Sequence, residues 1–101
     1  MRVIWTTQAQ KDRLAIWEYI AANNPVAAGD LDVRFSEAAR LLADHPEMGR
    51  EGVVPGTREL FPHEHYRLVY EVYQEAVWVL TLVHTARLWP KPMSDKDGAP
   101  D

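Results

Sequence analysis

The sequence predicts an α+β domain: one strand, a helical hairpin, then a three-stranded antiparallel meander, with the helices packed on one face of the sheet. Three observations carry this. Apolar residues recur at helical spacing as far as His45-Pro46 and at alternating spacing from Val53 onward. An Asn24-Pro25 pair splits the helical half in two. The last strand, from Val77 to about His84, is apolar on both faces, which suits a strand at the middle of a sheet.

Taken in order, Val3, Ile4 and Trp5 make a short first strand, and Thr7 with Gln10 fits a capping box that opens a helix. Leu14, Trp17, Ile20 and Ala21 give that helix an apolar face, with Lys11, Asp12, Arg13 and Glu18 on the rest. Asn23 suits a left-handed exit, and Asn24 and Pro25 then serve as N-cap and first residue of a second helix. Ala28, Leu31, Phe35, Ala38 and Leu42 form a stripe along it that ends at His45-Pro46. After a loop with two glycines, strands are expected from Val53 to Leu60 or Phe61, from about His65 to Tyr73, and from Val77 to about His84. Gln74, Glu75 and Ala76 make a tight connection without the usual glycine. On the middle strand Tyr66, Leu68, Tyr70 and Val72 share one face, and Arg67, Val69, Glu71 and Tyr73 the other.

A chain of 101 residues with 47% hydrophobic content is one domain, read here as residues 1–90, with 91–101 expected to be a mobile C-terminal tail. Cysteine is absent, so thiolate metal sites and cysteine nucleophiles are excluded. The N-terminal residues lack the apolar run of a signal peptide, and no run approaches the roughly twenty residues of a membrane span, so a cytoplasmic protein with no membrane partner is expected. A net charge of −4 is the wrong sign for bulk electrostatic binding of nucleic acid. No basic arm offsets it, so a nucleic-acid role needs a small focused site.

No Gly-rich phosphate loop, metal-ligand spacing or serine elbow is present, and no cofactor or metal is expected. His63 and His65 are only two ligands, and Glu51, Glu59, Glu64 and Glu71 are not told apart from solvated carboxylates. Arginine, however, keeps interrupting the apolar strands, at Arg58, Arg67 and Arg87. Guanidiniums on one small sheet suit a phosphate or carboxylate partner. Taken singly, each more readily suits pairing with nearby Glu59, Glu64 or Glu71. Together with His84 they have a coherent chemistry in RNA cleavage, arginines stabilising charge on phosphorane oxygens and a histidine moving a proton. Arg67, Arg87, Arg58 and His84 are therefore the candidate catalytic residues.

These residues sit in a frame that resembles the RelE/ParE superfamily of bacterial toxins. The frame comprises Trp5-Thr6, the Asn-Pro break, Pro46-x-x-Gly49-Arg50 and Pro55-Gly56-Thr57-Arg58-Glu59-Leu60. Tyr66-Arg67-Leu68-Val69-Tyr70 and His84-Thr85-Ala86-Arg87-Leu88-Trp89-Pro90 complete it. The resemblance implies a type II toxin, neutralised by a cognate antitoxin in a toxin–antitoxin hetero-oligomer. RelE-like members cut mRNA on the ribosome, whereas ParE-like members inhibit DNA gyrase. Arg67 and Arg87 match the two arginines of the nucleases, and Arg58 lies where they keep a lysine. The chain departs from the nuclease pattern where Phe61-Pro62 replaces a second lysine and where no tyrosine follows Tyr73. The resemblance thus implies a metal-independent mRNA endoribonuclease first, with a gyrase inhibitor as the alternative and an inert interaction module of the same fold as a third reading. Four tryptophans, Trp5, Trp17, Trp78 and Trp89, suit an apolar groove for an antitoxin segment.

Overall fold

The computed structural model describes residues 1–90; the tail from Lys91, expected to be mobile, lies outside the described residues. In chain order the elements are β1 (Arg2–Trp5), α1 (Thr7–Ala21), α2 (Pro25–Asp44), β2 (Arg50–Glu51), β3 (Arg58–His63), β4 (Tyr66–Tyr73) and β5 (Ala76–His84). They form a five-stranded sheet in the order β1-β5-β4-β3-β2, with β5 parallel to β1 and every other pairing antiparallel. β5 lies inside the sheet, between β1 and β4, as its two apolar faces require.

The hairpin between β4 and β5 turns at Gln74 and Glu75, both at positive φ (48° and 60°). That is the backbone of a two-residue loop whose twist matches its strands, reached here without glycine. Leu80 is the extra residue in β5, because Val69 pairs with Thr81 but Tyr70 with Val79. A second irregularity falls between Leu60 and His63 of β3, where Pro62 lacks an N–H. The strand expected from Val53 begins only at Arg58, because residues 53–57 form a turn with Gly56 at φ 85° and Thr57 Oγ1 donating to the carbonyl of Val54.

Helix caps follow the sequence at one helix and depart from it at the other. Asn24 caps α2 by accepting from the N–H of Ala27, with Pro25 in the first turn. α1 is capped by Thr6, not Thr7: its Oγ1 accepts from the N–H of Ala9, while its own N–H and hydroxyl donate to the carbonyl of Val79. Gln10 instead donates to the carbonyl of Trp5. Asn23 is not at positive φ; α1 ends at Ala22 in right-handed geometry, and the N–H groups of Asn23 and Asn24 both return to Ile20.

The core lies between the hairpin and one sheet face. Leu31, Phe35, Ala38 and Leu42 of α2 pack with Leu68, Tyr70, Val77, Val79 and Leu82 of the sheet. Each fully buried Leu or Phe contributes about 1.5–3 kcal/mol. The α2 stripe is thus as the spacing predicts, whereas the α1 stripe holds at Ile20 but not at Leu14 and Trp17. Leu14 and Trp17 are 58% and 39% exposed, while Ala9, Ile16 and Ile20 face the core. The cause is Asp12, whose carboxylate accepts from the N–H of Leu82 and the hydroxyl of Thr81. β1 pairs with β5 only as far as Val79, so Asp12 supplies an acceptor the edge of β5 would otherwise lack.

Candidate functional site

Alternation along β4 puts Arg67 on the sheet face away from the helices. There it meets Glu59 of β3, whose backbone pairs with Val69. Arg67 Nη1 donates to Glu59 Oε1 across 3.0 Å, and Glu59 has a fully buried side chain. Its other oxygen accepts from the N–H of Val53, 3.1 Å away, so the loop leaving β2 closes over it. Arg50 approaches the same carboxylate at 3.5 Å but is 63% exposed, so its share is small. Both guanidiniums also lie near the ring of Phe61, Arg50 at 4.8 Å and Arg67 at 5.7 Å from its centroid.

Arg58 pairs with Tyr70 and so sits on the other face. Its Nη1 donates to the carbonyl of Gly49 at 2.7 Å and reaches that of Glu47 at 3.3 Å. Tyr70 ties down the same loop, donating to the carbonyl of Pro46 and accepting from the N–H of Gly49. Gly49 is required, since a Cβ there would stand 2.7 Å from the Tyr70 oxygen. Burial pushes the Tyr70 phenol above its ordinary value of 10.0.

His84 and Arg87 lie elsewhere again. His84 pairs with Tyr66, four residues from Tyr70 along β4, or about 13 Å at strand rise. Its ring stacks on that of His65, 5.7 Å away at 10°, and meets Tyr66 edge-on at 5.1 Å. Its Nδ1 accepts from the N–H of Ala86, which leaves the proton of the neutral ring on Nε2. His84 and Arg87 line a cleft of about 1250 Å3 between α1 and the end of β5, with Asp12, Tyr19, Tyr66 and Trp89. Burial foremost, then Tyr19, raises the Tyr66 phenol, and the charge of Arg87 opposes them. Trp89 Nε1 is buried there without a hydrogen-bond partner.

The four residues singled out in the sequence are therefore divided among three places. His84 and Arg87 come together, Arg67 is bound to a buried carboxylate, and Arg58 braces a loop. Tyr19, Tyr66 and Asp12 join the cleft without any local signal, because α1 and β5 meet only in the folded chain. A second hollow, of about 470 Å3, is lined by Trp5, Arg13, Leu14, Trp17 and Asp32. There Arg13 stacks over Trp5 and binds Asp32 at 2.6 Å. Among the described residues no group of three or more His, Cys, Asp or Glu is placed to hold a metal, and no helix is long and apolar enough to cross a membrane.

A family model described as the ParE toxin of type II toxin–antitoxin systems, parDE, matches residues 3–89. The chain belongs to the ParE toxin family. Toxin RelE2 of Caulobacter vibrioides is 37% identical to this ParE-family toxin over 87 residues, covering 86% of this chain and 98% of that protein. In fold, the toxin is similar to a chain of the chromosomal ParDE system of P. aeruginosa, with a TM-score of 0.74 and 23% identity over 83% of this chain and 95% of that one. It is also similar to the YoeB/ParE toxin of Agrobacterium tumefaciens, with a TM-score of 0.60 and 16% identity over 83% and 98% of the two chains. The strand, hairpin and meander thus match the toxin fold.

Proposed function

We propose that this toxin arrests growth by binding DNA gyrase rather than by cutting mRNA, and that a cognate antitoxin neutralises it in a hetero-oligomer. The observation that carries the reading is the pairing of Arg67 with buried Glu59. Only Nη1 of Arg67 donates to the carboxylate and Nε has no partner, so what Glu59 removes is charge: a guanidinium already compensated by a buried carboxylate offers a scissile phosphate little net attraction. One further feature agrees: Nη1 of Arg58 is committed to backbone carbonyls. Arg87, exposed at the mouth of the cleft, is the candidate for contact with the target. The antitoxin reading draws on the family and on the related structure of a YoeB–YefM toxin–antitoxin heterotetramer from Staphylococcus aureus. Exposed Leu14 and Trp17 supply apolar anchors for such a segment.

The test pairs two assays on the purified protein. Gyrase supercoiling is inhibited, while a translating extract shows no new codon-positioned mRNA ends. Arg87→Ala relieves the inhibition at unchanged melting temperature, whereas Arg67→Ala lowers the melting temperature itself. Codon-positioned cuts with intact supercoiling would overturn the proposal.

The second reading, a ribosome-dependent endoribonuclease, draws on one observation: the cleft brings His84, Arg87 and the Tyr66 phenol together. Under it, cuts appear in the extract and vanish in both His84→Gln and Arg87→Ala.

A further inference from the structure

The sheet face turned away from the helices carries a cluster that gyrase binding leaves unused. Phe61 is 40% exposed, and the guanidiniums of Arg50 and Arg67 stand 4.8 Å and 5.7 Å from its ring centroid. An aromatic ring flanked by guanidiniums is the chemistry that holds single-stranded nucleic acid: the ring takes a base by stacking, and the cations take the phosphates. One side chain opposes this. Glu59 places a fully buried carboxylate beneath both cations, 3.0 Å from Arg67 and 3.5 Å from Arg50. Carboxylate and phosphodiester compete for guanidinium charge, and the carboxylate already holds Nη1 of Arg67.

We propose that Glu59 is a specificity residue that closes this face to single-stranded nucleic acid by holding Nη1 of Arg67 and offsetting the local positive charge. The proposal rests on the reading of this toxin as one that does not cut RNA. Removing the charge while keeping the shape opens the face. Glu59→Gln retains an oxygen for Arg67 but leaves both guanidiniums uncompensated.

The experiment is fluorescence anisotropy with a labelled single-stranded oligouridine at low salt. Glu59→Gln is compared with Glu75→Gln, a change of equal charge at the exposed β4–β5 turn. Glu59→Gln binds about 10-fold tighter than Glu75→Gln, and its dependence of log affinity on log salt is steeper by about 0.7 for each additional phosphate neutralised. Replacing Arg67 by Gln in the Glu59→Gln background abolishes the tighter binding. Thermal melting checks the fold; should Glu59→Gln melt below the assay temperature, Glu59→Met, of similar volume and uncharged, is measured the same way. Equal binding by Glu59→Gln and Glu75→Gln, or tighter binding that survives loss of Arg67, overturns the proposal. A wild-type protein that cuts mRNA overturns the gyrase reading instead, and the two glutamate variants still decide whether Glu59 masks the face.

Discussion

The guanidinium of Arg67 donates to the carboxylate of Glu59 across 3.0 Å, from a side chain only 14% exposed to one fully buried. A charge pair so withdrawn from water fixes the chemistry of its sheet face as much as its stability. Truncating one partner strands the other, so Glu59→Ala is expected to cost about 3–5 kcal/mol. Replacing both, as Glu59→Leu with Arg67→Met, recovers most of that loss. Urea denaturation of the single and double variants checks this, and a Glu59→Ala protein within about 1 kcal/mol of wild type, the usual scale of exposed pairs, would show the pair to be incidental.

Gly49 and Tyr70 act as one lock on the loop leaving α2. Gly49→Ala forces a Cβ to 2.7 Å from the Tyr70 oxygen, and Tyr70→Phe leaves the carbonyl of Pro46 and the N–H of Gly49 without that partner. Each is expected to cost about 1–3 kcal/mol. The double variant costs less than the sum, because both break the same contacts. Chemical denaturation of the four proteins measures the coupling.

The Tyr70 phenol is pushed above its ordinary value of 10.0, chiefly by burial. An unfolded chain therefore releases this proton at lower pH than the folded one. The associated stability is fully present below the unfolded value and is lost as pH rises through the folded value. Tyr66, raised mainly by burial, acts in the same direction. Urea midpoints followed from neutrality to about pH 11 should fall at the alkaline end, less steeply in Tyr70→Phe. A midpoint that rises there would contradict the burial of both phenols.

Asp12 and Leu14 are expected to reverse their apparent importance. Asp12→Ala removes the acceptor of Leu82 N–H and of the Thr81 hydroxyl, for a loss of about 1–3 kcal/mol. Leu14→Ser, at an exposed position, stays within about 0.5 kcal/mol. Melting temperatures in the opposite order would mean that α1 presents its other face to the sheet.

At the start of α1, Thr6→Ala is expected to cost about 1 kcal/mol through loss of the cap, and Thr7→Ala much less. Circular dichroism melts of the two proteins separate the residues directly.

Features that depend on neighbours along the chain are legible in the sequence. Asn24-Pro25 marks the break between helices, and His45-Pro46 the end of α2. The stripe from Ala28 to Leu42 marks the buried face of α2, and the apolar run of β5 its place inside the sheet. These are local matters of dihedral preference and side-chain period, and they sufficed for the α+β toxin fold. Other features came from contacts between distant segments. Asp12 turns inward because the unpaired end of β5 needs an acceptor, which shifts the buried face of α1 away from Leu14 and Trp17. Arg67 meets Glu59, and not a ligand, because the register of β3 against β4 sets them side by side under the loop carrying Val53. His84 is separated from Arg58 by half the length of β4, and from Arg67 by the thickness of the sheet. Charge partners are chosen by distance in space, and strand pairing with its bulges sets that distance.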